Sequence, residues 1–568
     1  MPEETLLKDE TLAEKIKRFQ QQLEEIRKPW EPDWEIISQN VQPRREGFIY
    51  GDLKEGKRKG TKIFDGTPSS ALLLYADGMM GHLLSASMIW FRLIAEIEKL
   101  MELPGVKLWL QECSEGMYSA FRRSNFYNQM HEYLLDGGSI GTTDIYSEED
   151  KGKGKINFLT CHPAEIYIAE NIFGFVDTVH RKFKLSARSA YERFGKNKKP
   201  YPSENQNLSP EILEALRNKP YKKFDFLHAI FPNNDRIYGK LDSENKEYSS
   251  IYMEYKSNKI LNRGGYDELP HSVWRYRKNS YEWYGRSPAH DMLCEILGIN
   301  VMAEDLQEAS HLSVRPPFNV PSELRHRVRI VPHGMNYYKD PRRLVTPVFT
   351  GINYTIGIDQ LQRKEDMIRK HFKVDFFLML AEAERQMTAT EIIERQSEKA
   401  AVLGAMIGRL QDECLNPIID RVFRIEYEAR RLPEIPESLI PYGGRGLRVD
   451  YMGPLAQAQK RLHRTQGVIH TLEALQGLLA LKPDIADNID WDIVAREIMD
   501  SHGFPQNAIR DPEMVRRIRE ARERMLAEQA QLEQTQKMAE AMPKLSRKIE
   551  EGSPLEHLMR AGVGAGAS

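Results

Sequence analysis

Few side chains in this sequence combine the residue types and the spacing that catalysis requires. Cys161 and His162 form a neighbouring thiol and imidazole, but adjacent residues on a strand point to opposite faces, which argues against a thiolate–imidazole couple. The carboxylates of "EED" (148–150) stand beside "KGKGK" (151–155) in a polar turn, where solvated charge explains them better than acid–base chemistry. The sequence therefore predicts no catalytic residue and no enzymatic activity.

Signals for nucleotide, metal and disulfide sites are equally weak. Neither "EGKRKGTK" (55–62) nor "GKGK" (152–155) has the GxxxxGK[ST] order that lets backbone amides cradle phosphates ahead of the lysine. The cysteines are far apart and form no CxxC pair, so we interpret them as buried thiols from a reducing cytoplasm. They are Cys113, Cys161, Cys294 and Cys414. We expect no metal site and no cofactor.

Composition and length fit an ordinary globular protein of several domains. The chain has 568 residues, 41% apolar and 29% charged, with a net charge of -2. This balance gives no overall polyanion-binding signal, so any nucleic-acid surface must be local. The N-terminus lacks an apolar h-region, and no window offers some twenty uninterrupted apolar residues. We therefore predict a cytosolic product with no membrane span.

One local basic surface lies in residues 315–357, a small module that also holds six prolines. Its basic residues are Arg315, Arg325, Arg327, Arg329, Lys339, Arg342 and Arg343. Clustered arginine suits phosphate or carboxylate partners, because its planar fork binds both bidentately. A solvated or subunit-pairing surface would explain the same cluster.

Periodicity in the first 280 residues predicts a mixed helical and stranded body that would hold these surfaces. An amphipathic helix is expected over 10–28, with one apolar face. That face comprises Leu12, Ile16, Phe19, Leu23 and Ile26. Further helices are predicted over 68–88, with Thr67 as N-cap, and over 108–135, where glycines end the helix. From 155 to 280 the period shifts towards two and indicates strands, with one helix near 186–194 followed by a polar loop at 195–210.

The second half of the chain is predicted to be largely helical. Helices at 288–312 and 359–380 flank the basic module, and a long helix follows from Thr388 to about 431. Thr388 and Glu391 fit a capping box at its start, and Pro417 should kink it. Its apolar stripe comprises Ile393, Ala400, Leu403, Ile407, Leu410, Cys414, Ile418, Val422 and Ile425. The last third reads as helical and ends in a tail without predicted order.

This order of elements resembles the portal proteins of tailed phages, specifically the head-to-tail connector family of short-tailed phages. The stretches that carry the resemblance are "GTPSSALLLYADGMMGHLLS", "WFRL", "RRSNFYNQMHEYLLDGGSIG" (122–141), "NSYEWYGRSP" (279–288), "AERQMTATEI" (383–392) and "LQDECLNPIIDRVFRI" (410–425). The resemblance spans about 30 to 450. It implies an α+β, predominantly helical portal fold assembled as a ring, with no catalytic site.

The resemblance also implies a division of the chain. The implied parts are a wing at 1–287, stem helix 1 at 288–312, the clip at 313–357, stem helix 2 at 358–380, a tunnel loop at 381–388, a second wing segment at 388–454 and a helical crown at 455–568 with a flexible tail. The DNA-facing candidates are Glu384, Arg385, Gln386 and Met387 in the tunnel loop and Lys364, Arg369, Lys370 and Lys373 on the stem. The seven basic residues of the module would form the clip surface.

Implied partners follow from the same resemblance. We expect a homo-oligomer, dodecameric in the virion, with double-stranded DNA passing through its channel at one capsid vertex. Terminase, then the tail adaptor and tail proteins, would dock outside, while major capsid and scaffolding proteins surround the ring. The protein would be made and assembled in the host cytoplasm.

Two other hypotheses stay open at this point. The helical C-terminal third would also suit a scaffolding or other coiled-coil assembly protein, although the strands at 155–280 count against it. A nucleic-acid enzyme whose site is dispersed in the sequence is a further alternative.

Overall fold

The computed structural model describes most of the chain, with gaps. The described residues are 2–48, 56, 59–61, 63–101, 103, 105–150, 152–195, 207–237, 239–240, 242–320, 328, 340, 345–347, 354–382, 404–440, 447–452, 475, 488–501, 508–510 and 512–546.

Helices occupy both halves of the chain. The helices up to residue 218 are α1 (Pro2–Arg27), α2 (Glu31–Asn40), α3 (Thr67–Leu83), α4 (Glu98–Met101), α5 (Val106–Arg123), α6 (Phe126–Ser139), α7 (Ala187–Phe194) and α8 (Pro210–Asn218). Those after it are α9 (Pro288–Asp291), α10 (Leu293–Val314), α11 (Tyr354–His371), α12 (Val374–Glu382), α13 (Asn416–Glu428), α14 (Trp491–Ser501) and α15 (Pro512–Ser546). Residues 404–410 are helical and run through a π turn, Gln411–Leu415, into α13.

Antiparallel strands supply the rest of the ordered structure, which confirms the mixed class. The strands are β1 (Phe91–Ala95), β2 (Thr142–Asp150), β3 (Lys155–Cys161), β4 (Ile166–Glu170), β5 (Val176–Ser186), β6 (Lys223–Pro232), β7 (Tyr248–Glu254), β8 (Lys259–Tyr266), β9 (His271–Arg275), β10 (Phe318–Asn319), β11 (Thr346–Pro347) and β12 (Leu447–Tyr451). They form a five-stranded sheet in the order β4-β5-β6-β7-β8, a three-stranded sheet β3-β2-β9, and the pairs β1-β12 and β10-β11.

The five-stranded sheet is covered by helices on both faces. On β6, Leu227 and Ala229 pack against Ala13 and Ile16 of α1, while the alternate residue Phe226 joins the cluster under α7 and α8. This alternation follows from the period of two along a strand. Helix α8 was not predicted, because "SPEILEALRN" adjoins the stretch taken as a polar loop.

The predicted apolar face of α1 is wrong in part. Phe19 and Ile26 are 43% and 40% exposed, whereas Gln20 and Arg27 are buried. Gln20 Oε1 accepts a hydrogen bond at 3.1 Å from Nδ1 of the buried His180. Arg27 donates to the carbonyls of residues 163, 164 and 166, and its guanidinium stacks 3.8 Å from the ring centroid of Tyr167. The sheet therefore buries polar side chains because it satisfies their hydrogen bonds.

The main core joins α2, α3, α5, α6, the three-stranded sheet and the helix at 404–428. Here the single helix predicted over 108–135 is two, α5 and α6. The side chain of Asn125 at the break exchanges two hydrogen bonds with the backbone of Phe158, at 2.7 and 2.8 Å. Helix α6 also continues through Gly137, where a Cβ would lie 2.3 Å from the ring of Trp274. These glycines serve close packing, and the left-handed residue after the helix is Gly141, at φ 85°.

Smaller expectations also need correction. Gly66, not Thr67, occupies the N-cap of α3. Cys294 is exposed, whereas the other three cysteines are buried as predicted. No described helix is long and apolar enough to cross a membrane.

Candidate functional site

Helices α10 and α11 form a hairpin that projects from the main core, and we call it the projecting hairpin. It begins after a capping box in which Ser287 accepts from the His290 N–H and His290 Nδ1 accepts from the Ser287 N–H. Only its base is buried, at Ile296 and Ile299 of α10 and Ile368 of α11. Beyond this base none of the described hairpin side chains is buried. The hairpin has no core of its own.

Close contacts hold the two hairpin helices together. Lys364 donates to Glu295 across the seam, and its ammonium lies beside Gly298. Nearer the free end, a Cβ on Gly357 would lie 2.9 Å from the side chain of Leu306. Glycine at both positions lets the backbones approach, and the contacts fix an antiparallel register.

Helix α12 ties the base of the hairpin to the core. Phe377 packs over Gly78 of α3, where a Cβ would lie 2.3 Å from the ring, and it stacks on His82 with centroids 5.9 Å apart. The single helix predicted over 359–380 is wrong here, because Lys373, at φ 60°, makes a turn that separates α11 from α12. The turn positions Phe372 and Val374, both buried, against the core.

The helix at 404–428 carries its π turn beside a buried arginine. Pro417 lacks an N–H and cannot donate to the carbonyl of Glu413 four residues earlier, so the regular ladder is broken here. Along this helix the predicted apolar stripe is buried in its described part, which comprises Ile407, Leu410, Cys414, Ile418, Val422 and Ile425. Directly before the proline that was predicted to kink the helix, the structure has a π turn, a feature often found at functional positions.

The π turn brings Glu413 onto Arg275 at the end of β9. Arg275 is fully buried; its Nη2 donates to Glu413 Oε1 at 2.5 Å and its backbone N–H to Glu413 Oε2 at 2.9 Å. Its Nη1 donates to Glu170 of β4, which also accepts from Lys278 at 2.7 Å. Arg409 adds a bond to Glu413 at 3.3 Å. This group, the Arg275 cluster, fastens the helix to both sheets through charge-assisted hydrogen bonds.

The predicted DNA-facing residues are only partly described. Lys364 is already paired with Glu295, and Arg369 pairs with Glu365 at 3.2 Å, while Lys370 is exposed. Arg315 is exposed at the end of α10. The remaining predicted residues lie outside the described ranges: Arg325, Arg327, Arg329, Lys339, Arg342, Arg343, Glu384, Arg385, Gln386 and Met387. The capping box at Thr388 and Glu391 lies outside them as well.

Among the described residues one group could in principle hold a metal ion: Asp144, Cys161 and His271, all buried on the three-stranded sheet. His271 Nδ1 and Asp144 Oδ2 are 2.7 Å apart, and burial raises the pKa of Cys161 well above its usual value, which keeps the thiol protonated. A hydrogen-bonded chain explains this arrangement. Cys161 is not paired with His162, whose Nδ1 accepts from the Ala164 N–H.

Sequence reasoning missed the GxSxG spacing of "GGSIG" (137–141), which in hydrolases marks a nucleophilic serine. Ser139 lies in the last turn of α6 and is fully buried. Its hydroxyl is 2.5 Å from Gln42 Oε1 and 2.9 Å from the Leu135 carbonyl. The residue lacks the strand-to-helix elbow and packs as a structural serine.

Comparison with known proteins places this geometry in context. The profile of a family described as "Bacteriophage head to tail connecting protein" matches residues 13–509. The "Portal protein" of Salmonella phage epsilon15 is 30% identical over 556 residues, covering 95% of this chain and 96% of the relative. The "Probable portal protein" of Bordetella phage BPP-1 is 29% identical over 524 residues, covering 90% and 91%. The similarity includes the body, the projecting hairpin and the helix at 404–428.

Proposed function

Because this chain belongs to the bacteriophage head to tail connecting protein family and acts as a portal protein, we propose that its copies close into a dodecameric ring at one capsid vertex. Double-stranded DNA is packaged and ejected through the channel of this ring. The observation that carries the proposal is the projecting hairpin, which has exposed apolar side chains and no core. Such an element gains its stability from identical neighbours, and head-to-tail contacts between copies close into a ring.

The projecting hairpin is then the main part of the stem, whose predicted ranges, 288–312 and 358–380, also include α9 and most of α12. The wing consists of 1–287 and 388–454, and the pairing of β1 with β12 supports this grouping, because it joins the two segments in one sheet. Residues 455–568 form the crown inside the head. Within it Arg519 holds Asp492 in a bidentate ion pair that fixes α15 to α14.

Residues 313–357 form the clip, which docks the packaging terminase and later the tail adaptor. The terminase supplies ATP hydrolysis, so the portal itself carries no enzymatic site. The basic residues of the clip suit carboxylate-bearing partners. Major capsid and scaffolding proteins contact the ring during assembly in the host cytoplasm, and the mature ring is part of the virion.

The tunnel loop, predicted at 381–388, begins after Glu382, because α12 continues through Ala381 and Glu382, and it lies near the DNA. The Arg275 cluster supports this role, because a loop followed by an anchored helix can change position without moving the wing. A near-neutral chain also suits a conduit, since many phosphate contacts would hold the DNA too tightly to let it slide.

Electron microscopy of the purified protein tests the ring directly. We expect two-dimensional class averages with rotational symmetry and a central hole wide enough for a duplex, and no ATPase or nuclease activity. Assembled particles without rotational symmetry would overturn the proposal and favour a scaffolding role. A deletion of 383–387 should still form rings but retain less DNA in packaged heads, and normal retention would contradict the loop's role.

A further inference from the structure

The two ends of the five-stranded sheet differ in chemical character. At the end where β5 begins and β8 finishes, a cavity of about 410 Å³ lies between this sheet, β9 and the helix at 404–428. Its apolar wall comprises Phe175, Val176, Leu269, Val273 and Pro417. Phe175 stands at the rim of the cavity and is 55% exposed.

Six carboxylate side chains line the same cavity, which we call the acidic cavity. They are Glu247, Asp267, Glu268, Asp412, Glu413 and Asp420. The Arg275 cluster neutralises one of them, and Lys246 and Arg424 form ion pairs at 2.9–3.3 Å with the two that follow β8. The other three, Glu247, Asp412 and Asp420, are exposed and form no ion pair within the described residues. The acidic cavity therefore has negative charge that its own chain leaves unbalanced.

The opposite end of the sheet, where β5 finishes and β6 begins, has a basic surface. Residues 217–222 join α8 to β6 and contain no Asp or Glu, and we call them the basic turn. Arg217, Lys219 and Lys222 are exposed and form no ion pair in the part of the chain that the structure describes. Between them Tyr221 is 73% exposed, and Arg188 lies within hydrogen-bonding reach of its hydroxyl. The basic turn thus presents one aromatic ring among three cations.

The acidic cavity and the basic turn lie on opposite sides of the body. Strand β6 has ten residues, from Lys223 beside the basic turn to Pro232 at the end with the cavity. At about 3.3 Å per residue, the strand separates the two surfaces by about 30 Å. In the proposed dodecamer each copy is rotated by about 30° from the next, so the two contact surfaces of one copy point about 150° apart. Opposite ends of one sheet suit this requirement.

The two surfaces also match in charge and in aromatic content. The three cations of the basic turn correspond to the three unbalanced carboxylates of the cavity, and the ring of Tyr221 corresponds to that of Phe175. Long Lys and Arg side chains can place their charges on carboxylates while their alkyl stems cover apolar surface. Opposite charges on the two surfaces also orient the copies before they touch.

We propose that the basic turn of one copy docks on the acidic cavity of the next. The occupant is a second copy of this chain, because one chain carries both complementary surfaces at opposite ends of a sheet. Since the two surfaces differ, the contact is head-to-tail and propagates around a ring. The inference rests on the proposed function, to which it adds the wing residues that join neighbouring copies.

Carbodiimide cross-linking of rings of the unaltered protein tests this contact. The reagent joins a lysine amine directly to a carboxylate, so it cannot bridge the separation of about 30 Å within one chain. In rings mixed from ¹⁵N-labelled and unlabelled chains, we expect mass spectrometry to find links between copies from Lys219 or Lys222 to the three unbalanced carboxylates. The link from Lys256 to Glu211, a pair 3.0 Å apart in one chain, is the positive control.

Charge reversal gives an independent test. Asp412→Lys with Asp420→Lys reverses the cavity, and Lys219→Glu with Lys222→Glu reverses the turn. Either variant alone should need about tenfold more protein for ring assembly at low salt, because like charges then meet. A 1:1 mixture of the two variants should restore assembly, because in an alternating ring every cavity faces a turn of opposite charge.

The matched control is Glu112→Lys with Glu115→Lys, which reverses two exposed carboxylates of α5 outside both surfaces and should assemble like the unaltered chain. Rings without links between the two surfaces, a mixture that does not assemble, or an equal loss in the control would each overturn this contact. Each would leave the ring intact and the cavity to a different partner. An unaltered chain that forms no rings would overturn the proposed function instead, and this contact with it.

Discussion

The Arg275 cluster gives the sharpest prediction, since it joins two sheets to the helix that follows the proposed tunnel loop. Glu413→Gln removes one charge of the cluster with almost no change in side-chain volume. Glutamine can still accept from the Arg275 N–H through its carbonyl oxygen, but it no longer offers a carboxylate to the guanidinium. We expect the helix at 404–428 to loosen while the rest of the chain stays folded.

The size of the effect follows from the contacts. Glu413 accepts three bonds from Arg275 and one from Arg409, and its side chain is only 8% exposed. A hydrogen bond to a charged group contributes about 1.5–3 kcal/mol, and breaking a buried ion pair costs about 3–5 kcal/mol. Because Glu170 still neutralises Arg275 in the variant, the lower end of the range for a broken ion pair, about 3 kcal/mol, applies. The expected loss is about 3 kcal/mol in the opening free energy of this helix.

Hydrogen exchange measured by mass spectrometry on peptides from 404–428 reads that free energy locally. The matched control is Glu428→Gln, which removes the same charge from the same helix where the side chain is 59% exposed and paired only with Arg424. That change should cost no more than about 0.5 kcal/mol. Equal protection of the helix in the two variants would refute the anchoring role. A double-mutant cycle with Arg275→Met should further show strong coupling to Glu413→Gln, and additive losses would also contradict the argument.

Three more predictions test the fold that positions the hairpin. Gly78→Ala should lower the melting temperature, because its methyl group would overlap the ring packed there and cost about 1–3 kcal/mol, whereas Gly81→Ala in the same helix meets open space and should be neutral or stabilising. Arg27→Lys should lower the free energy of unfolding in urea by about 3 kcal/mol, since lysine cannot donate to the same set of buried carbonyls. The control Arg18→Lys, on the exposed side of α1, should change this free energy little. Burial lowers the pKa of His180 from 6.5 to about 4, so the unfolded chain binds a proton that the folded chain does not, and stability falls as pH drops through that window. Between pH 7.5 and 5 this loss is about 2 kcal/mol, and His180→Gln should remove it from the difference in urea midpoints measured at the two pH values.

The sequence was informative where a pattern is local. Periods of two and of three to four residues predicted the stranded region after 155, the two hairpin helices and the buried stripe from Ile407 to Ile425, because each is decided by neighbours within one element. The same reasoning failed for α1. Its burial is decided by the sheet beneath it, which offers carbonyls to Arg27 and a histidine to Gln20, and no period along α1 contains that information.

Glycine was misinterpreted for a related reason. In "LLDGGSIGT" the glycines indicated a helix end, yet Gly137 and Gly138 lie within α6. Both positions are glycine because the rings of Trp274 and Tyr75 leave no room there for a side chain. A glycine that allows a turn and one that allows close packing look alike in a sequence. Only the partner, here Trp274 from a strand more than a hundred residues away, tells them apart.

The π turn shows how a local signal and a distant partner combine. Pro417 was enough to predict a kink in the long helix, since a proline inside a helix removes one backbone hydrogen bond. It could not predict that the π turn directs Glu413 to Arg275. Arg275 lies at the end of a distant strand, and its buried guanidinium needs a carboxylate partner. Without a donor such as Arg275 for Glu413, the proline would leave the helix free to bend at this point, whereas the cluster holds the helix in one geometry. With Glu413→Gln we therefore expect the helix at 404–428 to lose this fixed geometry at the π turn.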